Sequence, residues 1–133
     1  MEFKNLFESF NQNGKLILSD KLFSLRFGEL CFNEHPDFEG VFLKHIITSK
    51  QTNGMFSYHL VKIEPNKKIG EHIHKNQFET HEIIAGNGVC VNNGTEIIYR
   101  PGIISILEKN TPHKVIAGDN GLYIFAKFIP ALC

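Results

Sequence analysis

The chain of 133 residues is long enough for one domain with its own hydrophobic core. Its 14 basic and 14 acidic side chains cancel and form no basic stripe, which argues against a nucleic-acid partner. No apolar run reaches the ~18 residues that a membrane helix needs, and the start shows no signal-peptide pattern. The three cysteines are widely spaced, so we expect reduced thiols in a cytoplasmic protein that does not bind membranes.

The first 40 residues predict a short helix followed by strands. Within residues 2–11, apolar side chains recur at i, i+3, i+4 and i+7, which predicts an amphipathic helix. Residues 15–19 could form a short strand, and the alternation over residues 23–27 predicts another. His35 lies beside a proline in a polar stretch, where we expect it to be exposed to solvent.

Residues 41–49 and 55–63 predict two strands joined by a tight turn. The first segment is rich in β-branched and aromatic residues, and the second alternates. Asn53-Gly54 between them predicts the turn, because both residues tolerate positive φ. The alternation does not decide which face of the second strand points inward. If the face carrying His59 does, His59 is a candidate for the substrate pocket; a histidine hydrogen-bonded elsewhere is the alternative.

Turn signals divide the second half of the chain into further strands. Predicted turns lie at residues 86–88, 92–94 and 118–121. We expect a strand over residues 78–85, a buried strand over residues 103–107 and a last strand over residues 122–129. Many short strands with almost no helix predict an all-β sandwich or barrel.

Four side chains between residues 72 and 113 have the chemistry of a transition-metal site. His72 and His74 are two residues apart, so both imidazoles point to the same side of a strand. Glu79 follows a polar turn that could bring its carboxylate alongside, and His113 would add a third nitrogen. This set suits Fe, Mn, Ni, Zn or Cu and leaves an octahedral ion two open positions. A cluster of hydrogen-bonded histidines is the alternative; the added carboxylate and third imidazole favour the metal.

His81 is the candidate for a catalytic residue. In a strand it shares a face with Glu79, so a carboxylate that faces the metal brings His81 toward the same cavity. Its imidazole could contact the substrate or transfer a proton. A bulge in the strand would turn it outward instead.

The spacing over residues 70–86 resembles the first motif of the cupin family. That motif reads G, a spacer, H-x-H, three or four residues, E, six residues and G. Here the H-x-H pair is followed by four residues, then Glu79, six residues and Gly86. Gly70 lies closer to the first histidine than the usual five-residue spacer allows.

Residues 102–117 resemble the second cupin motif in a degenerate form. That motif reads G, five residues, P-x-G, two residues, H, three residues and N. Gly102 and His113 are in register. The positions of the motif's proline, second glycine and asparagine are held by Glu108, Asn110 and Ala117.

The resemblance implies a single cupin domain over residues 1–133, with the double-stranded β-helix or jelly-roll barrel of that family. The core barrel would span residues 55–129, after an N-terminal helix and extra strands over residues 1–40. His72, His74, Glu79 and His113 would be the ligands of one divalent transition metal ion. Extra strands of this kind imply a homodimer.

The resemblance also sets the expected functions. Cupins include dioxygenases, isomerases, decarboxylases and lyases, so a metal-dependent enzyme acting on a small molecule is expected. The alternative is a non-catalytic module that binds or senses a small ligand, for example a sugar. The third hypothesis is a metal that only stabilises the barrel.

Overall fold

Two long strands that lie side by side organise the computed structural model, which describes residues 3–18 and 24–133. In chain order the elements are helix α1 (Phe3–Asn13), strands β1 (Lys15–Ile17) and β2 (Ser24–Arg26), a 3₁₀ turn (Phe27–Glu29), strands β3 (Asn33–Glu34) and β4 (Val41–Ile47), helix α2 (Ser49–Thr52), and strands β5 (Ser57–Ile63), β6 (Lys68–His72), β7 (Phe78–Asn92), β8 (Thr95–Tyr99), β9 (Ile104–Leu107) and β10 (His113–Ile129). None of the described helices is long and apolar enough to cross a membrane.

The long strands β7 and β10 pair with each other and pass from one sheet into the other. In one sheet, the second half of β10 lies between β5 and the first half of β7. This half of β7 also pairs with β9 on its other side. In the other sheet, the first half of β10 lies between β6 and the second half of β7, which also pairs with β8. β3 and β4 extend the first sheet beyond β5. This double-sheet arrangement confirms the predicted jelly-roll barrel.

The main core fills the space between the two sheets. On β5, the side chains of Ser57, His59, Val61 and Ile63 are buried on one face, and Val61 and Ile63 belong to this core. The sequence left the inward face of this strand open, and the structure shows that it is the one carrying His59. Leu60, on the other face, belongs to a second core cluster beneath α1.

Helix α1 covers the outer face of one sheet. Phe7 is fully buried, and its ring packs 4.7 Å from that of Tyr123 on β10. Phe10, one turn further along, packs against Phe27 and Phe125. The predicted amphipathic helix is therefore confirmed, and its apolar face binds the barrel of the same chain.

The predicted turns at residues 86–88 and 118–121 are wrong, because both segments lie inside the long strands. The pairing of β7 and β10 shifts register there, from Ala117 opposite Gly88 to Leu122 opposite Gly86. A Cβ atom on Gly86 would lie 2.1 Å from the carbonyl oxygen of Gly121. These glycines permit a close approach of two bent strands rather than a reversal of the chain.

The connection between β4 and β5 contains a helical turn that the sequence analysis missed. Thr48 caps helix α2, and Gln51 completes a capping box by bonding back to the Thr48 backbone. Asn53 and Gly54 then have φ of 54° and 81° and reverse the chain. The predicted turn residues were correct, but the connection from Ile47 to Ser57 is longer than a tight turn.

Strand β9 is only half buried, which corrects the expectation of a buried strand. Ser105 and Leu107 point inward, whereas Ile104 and Ile106 are 70% and 63% exposed. Strand β9 therefore has one inward face and one apolar outer face. The turn predicted at residues 92–94 is confirmed, with Asn93 at φ 49° and Gly94 at φ 81°.

Candidate metal centre

The structure brings the four predicted ligands together at the ends of three strands. His72 is the last residue of β6 and lies directly opposite His113, the first residue of β10. His74 lies in the following loop, where its carbonyl accepts a 2.9 Å hydrogen bond from the Asn110 N–H. Glu79 is the second residue of β7. The potential ligand atoms of these histidines and of Glu79 all lie within 4.8 Å of one another.

Two of the imidazoles are oriented by backbone carbonyls. His72 Nδ1 donates to the Gly70 carbonyl at 2.8 Å, and His113 Nδ1 donates to the Thr111 carbonyl at 3.1 Å. A carbonyl only accepts, so each ring carries a proton on Nδ1 and leaves Nε2 as the atom available to the cluster. Outer hydrogen bonds of this kind fix metal-ligating histidines in their tautomer and ring orientation.

Two buried atoms at the centre of the cluster face each other without a hydrogen bond. Glu79 Oε1 lies 3.2 Å from His113 Nε2 and 3.5 Å from His74 Nε2. Within the described parts of the chain, neither Glu79 Oε1 nor His113 Nε2 has a hydrogen-bond partner of acceptable geometry. Leaving such a group buried and unsatisfied costs about 1–3 kcal/mol. A cation between these atoms would satisfy them, so the residues present fit a metal ion.

The second oxygen of Glu79 ends a buried chain of hydrogen bonds. Glu79 Oε2 accepts from His81 Nε2 at 2.9 Å, and His81 Nδ1 lies 2.9 Å from the Tyr99 hydroxyl. The Tyr99 hydroxyl also lies 2.9 Å from Ser105 Oγ. Burial raises the pKa of the Tyr99 hydroxyl, so it stays protonated. The chain holds the carboxylate with Oε1 turned toward the three imidazoles.

Burial and mutual charge set the protonation of the cluster. Burial lowers the pKa of His72 and of His74, which keeps both neutral at neutral pH. Burial would raise the pKa of Glu79, but His81, His113 and His74 hold it well below its usual range. Burial likewise opposes a charge on His113, but the adjacent Glu79 carboxylate raises the pKa of that imidazole. Metal-free, the cluster is an ionised carboxylate beside an imidazole that binds a proton readily.

The cluster opens into a small, mostly apolar cavity of about 120 Å³. Drug-sized ligands occupy pockets of roughly 300–1,000 Å³, so this space suits a much smaller molecule. Besides the cluster, the cavity is lined by His35, His81 and the apolar side chains of Val41, Leu43, Val61, Ile69, Ile124, Ala126, Phe128 and Leu132.

The two other predicted site residues lie in different surroundings. His81 is buried, contacts Glu79 and lines the cavity, and its catalytic role stays a prediction. His59 is fully buried and hydrogen-bonded to Ser57 and His45. It packs against the outer side of the cavity-lining Phe128 ring, at 5.6 Å between centroids, and does not itself line the cavity.

Sequence reasoning missed three residues of the site. His35, expected to be exposed, is half-buried, lines the cavity and packs 4.7 Å from the ring of Phe38. Its loop folds back over the cavity through contacts with distant parts of the chain, which no local pattern records. Tyr99 and Ser105 were not identified for the same reason, since each meets His81 only through the pairing of β7 with β8 and β9.

Comparison with protein families matches residues 59–124 to the family described as Cupin domain. A search of curated protein sequences finds no match.

Several solved structures share the fold. An RmlC-like cupin from Shewanella frigidimarina NCIMB 400 superposes with a TM-score of 0.71 at 12% identity, over 84% of this chain and 93% of that one. The polyketide cyclase RemF from Streptomyces resistomycificus gives 0.70 at 15% identity, over 83% and 80%. A predicted oxalate decarboxylase from Thermotoga maritima gives 0.68 at 21% identity, over 77% and 94%. At these identities the likeness shows the fold alone.

Proposed function

We propose that this chain, which belongs to the cupin superfamily, binds one divalent transition metal ion and uses it to act on a small molecule. The ligands would be His72, His74, Glu79 and His113. Fe, Mn, Ni, Zn and Cu all accept three imidazoles and one carboxylate. The proposed chemistry is of the dioxygenase, isomerase or lyase type.

The observation that carries the proposal is the buried contact between Glu79 Oε1 and His113 Nε2, 3.2 Å apart and without a hydrogen bond. A carboxylate oxygen and a nitrogen lone pair repel each other unless a cation lies between them. A proton on His113 Nε2 would remove the repulsion between these two atoms but would leave the other imidazoles of the cluster without a partner. A metal ion would also use ring nitrogens of His72 and His74, whose potential ligand atoms lie within 4.8 Å of these two.

The residues around the cluster indicate how the site would work. A bound divalent ion supplies Lewis-acid activation of a small ligand with an oxygen donor. His81 holds Glu79 Oε2, so the other carboxylate oxygen would be the one available to an ion. Phe128 and the other apolar walls of the cavity exclude water, and its volume limits the ligand to a few non-hydrogen atoms.

The alternative is a binding or sensing module without catalysis, and one observation favours it. Both ring nitrogens of His81 are already engaged, Nε2 with Glu79 and Nδ1 with Tyr99. An imidazole held in this way positions the carboxylate but has no free nitrogen for a ligand. His35 would then be the remaining imidazole available to a ligand, because its Nδ1 accepts the Asp37 N–H and its Nε2 is not used in the described structure.

The first experiment measures the metal content of untagged protein by mass spectrometry, beside a His72→Ala/His74→Ala variant and a His35→Ala control. We expect the parent protein to contain near one equivalent of metal per chain and the double variant to contain none. The His35 variant should keep the metal, because His35 is outside the ligand set. Parent protein that stays metal-free after reconstitution with each candidate metal would overturn the proposal.

The loaded protein then distinguishes the enzyme from the binding module. A panel of small carbonyl, thiol and aromatic compounds is tested both for turnover and for a shift of the melting temperature. Metal-dependent product formation supports the enzyme. Saturable stabilisation without any product supports the binding module.

We also infer a homodimer and a cytoplasmic location, in keeping with the sequence analysis. Support for the dimer comes from an apolar surface that we call the isoleucine face, formed by the exposed side chains of Met55, Ile104, Ile106 and Ile129. They surround a groove of about 440 Å³ on the outer side of the sheet. Exposed apolar patches of this kind commonly mark interfaces.

A further inference from the structure

A second group of metal-ligating side chains lies outside the site described above. His45 on β4 and His59 on β5 are direct cross-strand partners. Their Nδ1 atoms are 2.7 Å apart, and the two rings are perpendicular. The sulfur of Cys133 completes a group whose potential ligand atoms lie within 4.8 Å of one another. Two imidazole nitrogens and a thiol therefore converge on one point.

The chain holds Cys133 at this point through backbone hydrogen bonds. Its carbonyl accepts the Ser49 N–H at 2.7 Å, and the preceding Leu132 N–H donates to Ser57 Oγ at 2.8 Å. One residue earlier, the Ala131 N–H donates to the Gly54 carbonyl at 3.0 Å. These bonds fasten the segment across the connection between β4 and β5, so the thiol is positioned beside the two imidazoles.

The hydrogen bonds of His59 suit a metal ligand. Its Nε2 lies 2.8 Å from Ser57 Oγ. A serine oxygen has two lone pairs, so it can accept the His59 Nε2–H as well as the Leu132 N–H. In that tautomer His59 Nδ1 carries a lone pair that can bind a metal. The hydrogen bond to Ser57 fixes the orientation of the ring, as hydrogen bonds to the second ring nitrogen do for metal-ligating histidines. Burial and the neighbouring His45 lower the pKa of His59 to about 4, so the imidazole is neutral, as ligation requires.

We propose that His45 Nδ1, His59 Nδ1 and Cys133 Sγ form a second metal site that binds a thiophilic d¹⁰ cation such as Zn²⁺. Imidazole and thiolate are the ligands of zinc sites in proteins, whereas Mg²⁺ and Ca²⁺ need oxygen donors that this group lacks. On binding, the proton of the neutral His45 ring moves from Nδ1 to Nε2, the ion takes the place of the hydrogen bond between the two Nδ1 atoms, and the thiol proton is released to solvent. The exposed side of Cys133 leaves the fourth position to water or a small ligand.

The two nitrogens need only a small rearrangement to accept the ion. With Zn–N distances of 2.0–2.1 Å, a tetrahedral ion holds two nitrogens roughly 3.3 Å apart, against 2.7 Å here. His45 is only partly buried, so it can move outward by the difference. The two sites share no ligand. The Phe128 ring contacts a histidine of each, His59 and His74, at centroid distances of 5.6 and 5.1 Å.

The test uses Co²⁺ as a spectroscopic substitute for Zn²⁺ in the full-length His72→Ala/His74→Ala variant, which lacks two ligands of the first site. The ligand set of the first site has no thiolate, so a sulfur-to-cobalt charge-transfer band reports the second site alone. We expect saturation near one equivalent, reversal by Zn²⁺, loss of the band after Cys133→Ser, and a Co²⁺ affinity lower by tenfold or more after His45→Gln.

Cys31→Ser is the matched control, because Cys31 is also an exposed free cysteine. That variant should keep the band and the affinity. A band that survives Cys133→Ser, or no saturable band at all, would overturn the proposal and leave the two histidines as a hydrogen-bonded pair. Both altered side chains are at least partly exposed, and circular dichroism confirms that each variant is folded. The result does not depend on whether the first site binds its metal.

Discussion

At the residue scale, His81 connects the Glu79 carboxylate to Tyr99 and the core of the barrel. We predict that His81→Phe weakens metal binding by about 10- to 100-fold, because losing an outer hydrogen bond to a ligand typically has that effect. The affinity is measured by competition with a chromogenic chelator. His81→Gln should recover part of the loss, since its amide N–H can still donate to Glu79 Oε2. Equal affinities of the parent and the phenylalanine variant would contradict the assigned positioning role.

His59 makes the stability of the metal-free protein depend on pH. The pKa of this fully buried imidazole is about 4, lowered from 6.5 by burial and then by His45. Between these two values the unfolded chain binds a proton that the folded chain does not, so the free energy of unfolding falls as the pH falls from 6.5 to 4. At about 1.4 kcal/mol per pH unit, the loss is on the order of 3 kcal/mol.

Urea denaturation in the presence of a chelator, repeated at several pH values, measures this loss. His59→Phe removes the titrating group, so its stability should fall less steeply over the same range. An unchanged slope in that variant would show that His59 does not carry the effect.

The four clustered residues could be predicted from the sequence because three of them lie within eight positions of one another, and two of these three have the i, i+2 spacing of a strand. His113 was proposed as the third imidazole, and its register in a longer motif supported that choice. The surroundings of these residues could not be predicted in the same way. Tyr99 and Ser105 meet His81 across two different neighbouring strands, and that pairing follows from the topology of the whole barrel.

At the scale of elements, Gly86 shows how one sequence signal can have two structural meanings. Gly-Asn-Gly predicts a hairpin, yet the segment lies within β7, where Gly86 has φ 80° and its α-carbon faces the carbonyl of Gly121. A local pattern records only that the backbone needs glycine. Whether the need comes from a chain reversal or from a neighbouring strand depends on β10, more than 30 positions away. By contrast, residues 92–94 join two adjacent strands, and the local signal was sufficient.

We predict that Gly86→Ala destabilises the protein by about 2–4 kcal/mol. Positive φ costs an alanine about 1–2 kcal/mol, and the new Cβ atom would lie 2.1 Å from the backbone oxygen of Gly121, which cannot move without disturbing the pairing of the two long strands. Gly94→Ala is the matched control, because its φ is 81° and no atom lies within 4 Å of its Cβ position. It should show only the backbone cost. Equal shifts of the urea midpoints would contradict the role of the close approach.

At the scale of the whole molecule, the outer surface of the barrel carries two apolar regions. Helix α1 covers one of them through Phe7 and Phe10. The isoleucine face has no such cover within the described parts of the chain, and β9, which carries Ile104 and Ile106, pairs there with β7 alone. A second copy of the chain would cover this face symmetrically. The formal charge of zero means that two copies do not repel each other over long distances.

We predict a dimer that Ile104→Lys/Ile106→Lys dissociates, with a rise of the dissociation constant of roughly 100-fold or more. Each isoleucine contributes about 1.5–3 kcal/mol when it is buried, and every 1.4 kcal/mol corresponds to about tenfold in affinity. Sedimentation equilibrium over a range of concentrations measures the constant. Ile98→Lys is the matched control, because Ile98 is 69% exposed on β8, outside the isoleucine face. A parent protein that stays monomeric at high concentration, or a dimer that responds equally to both variants, would show that this face is not the interface.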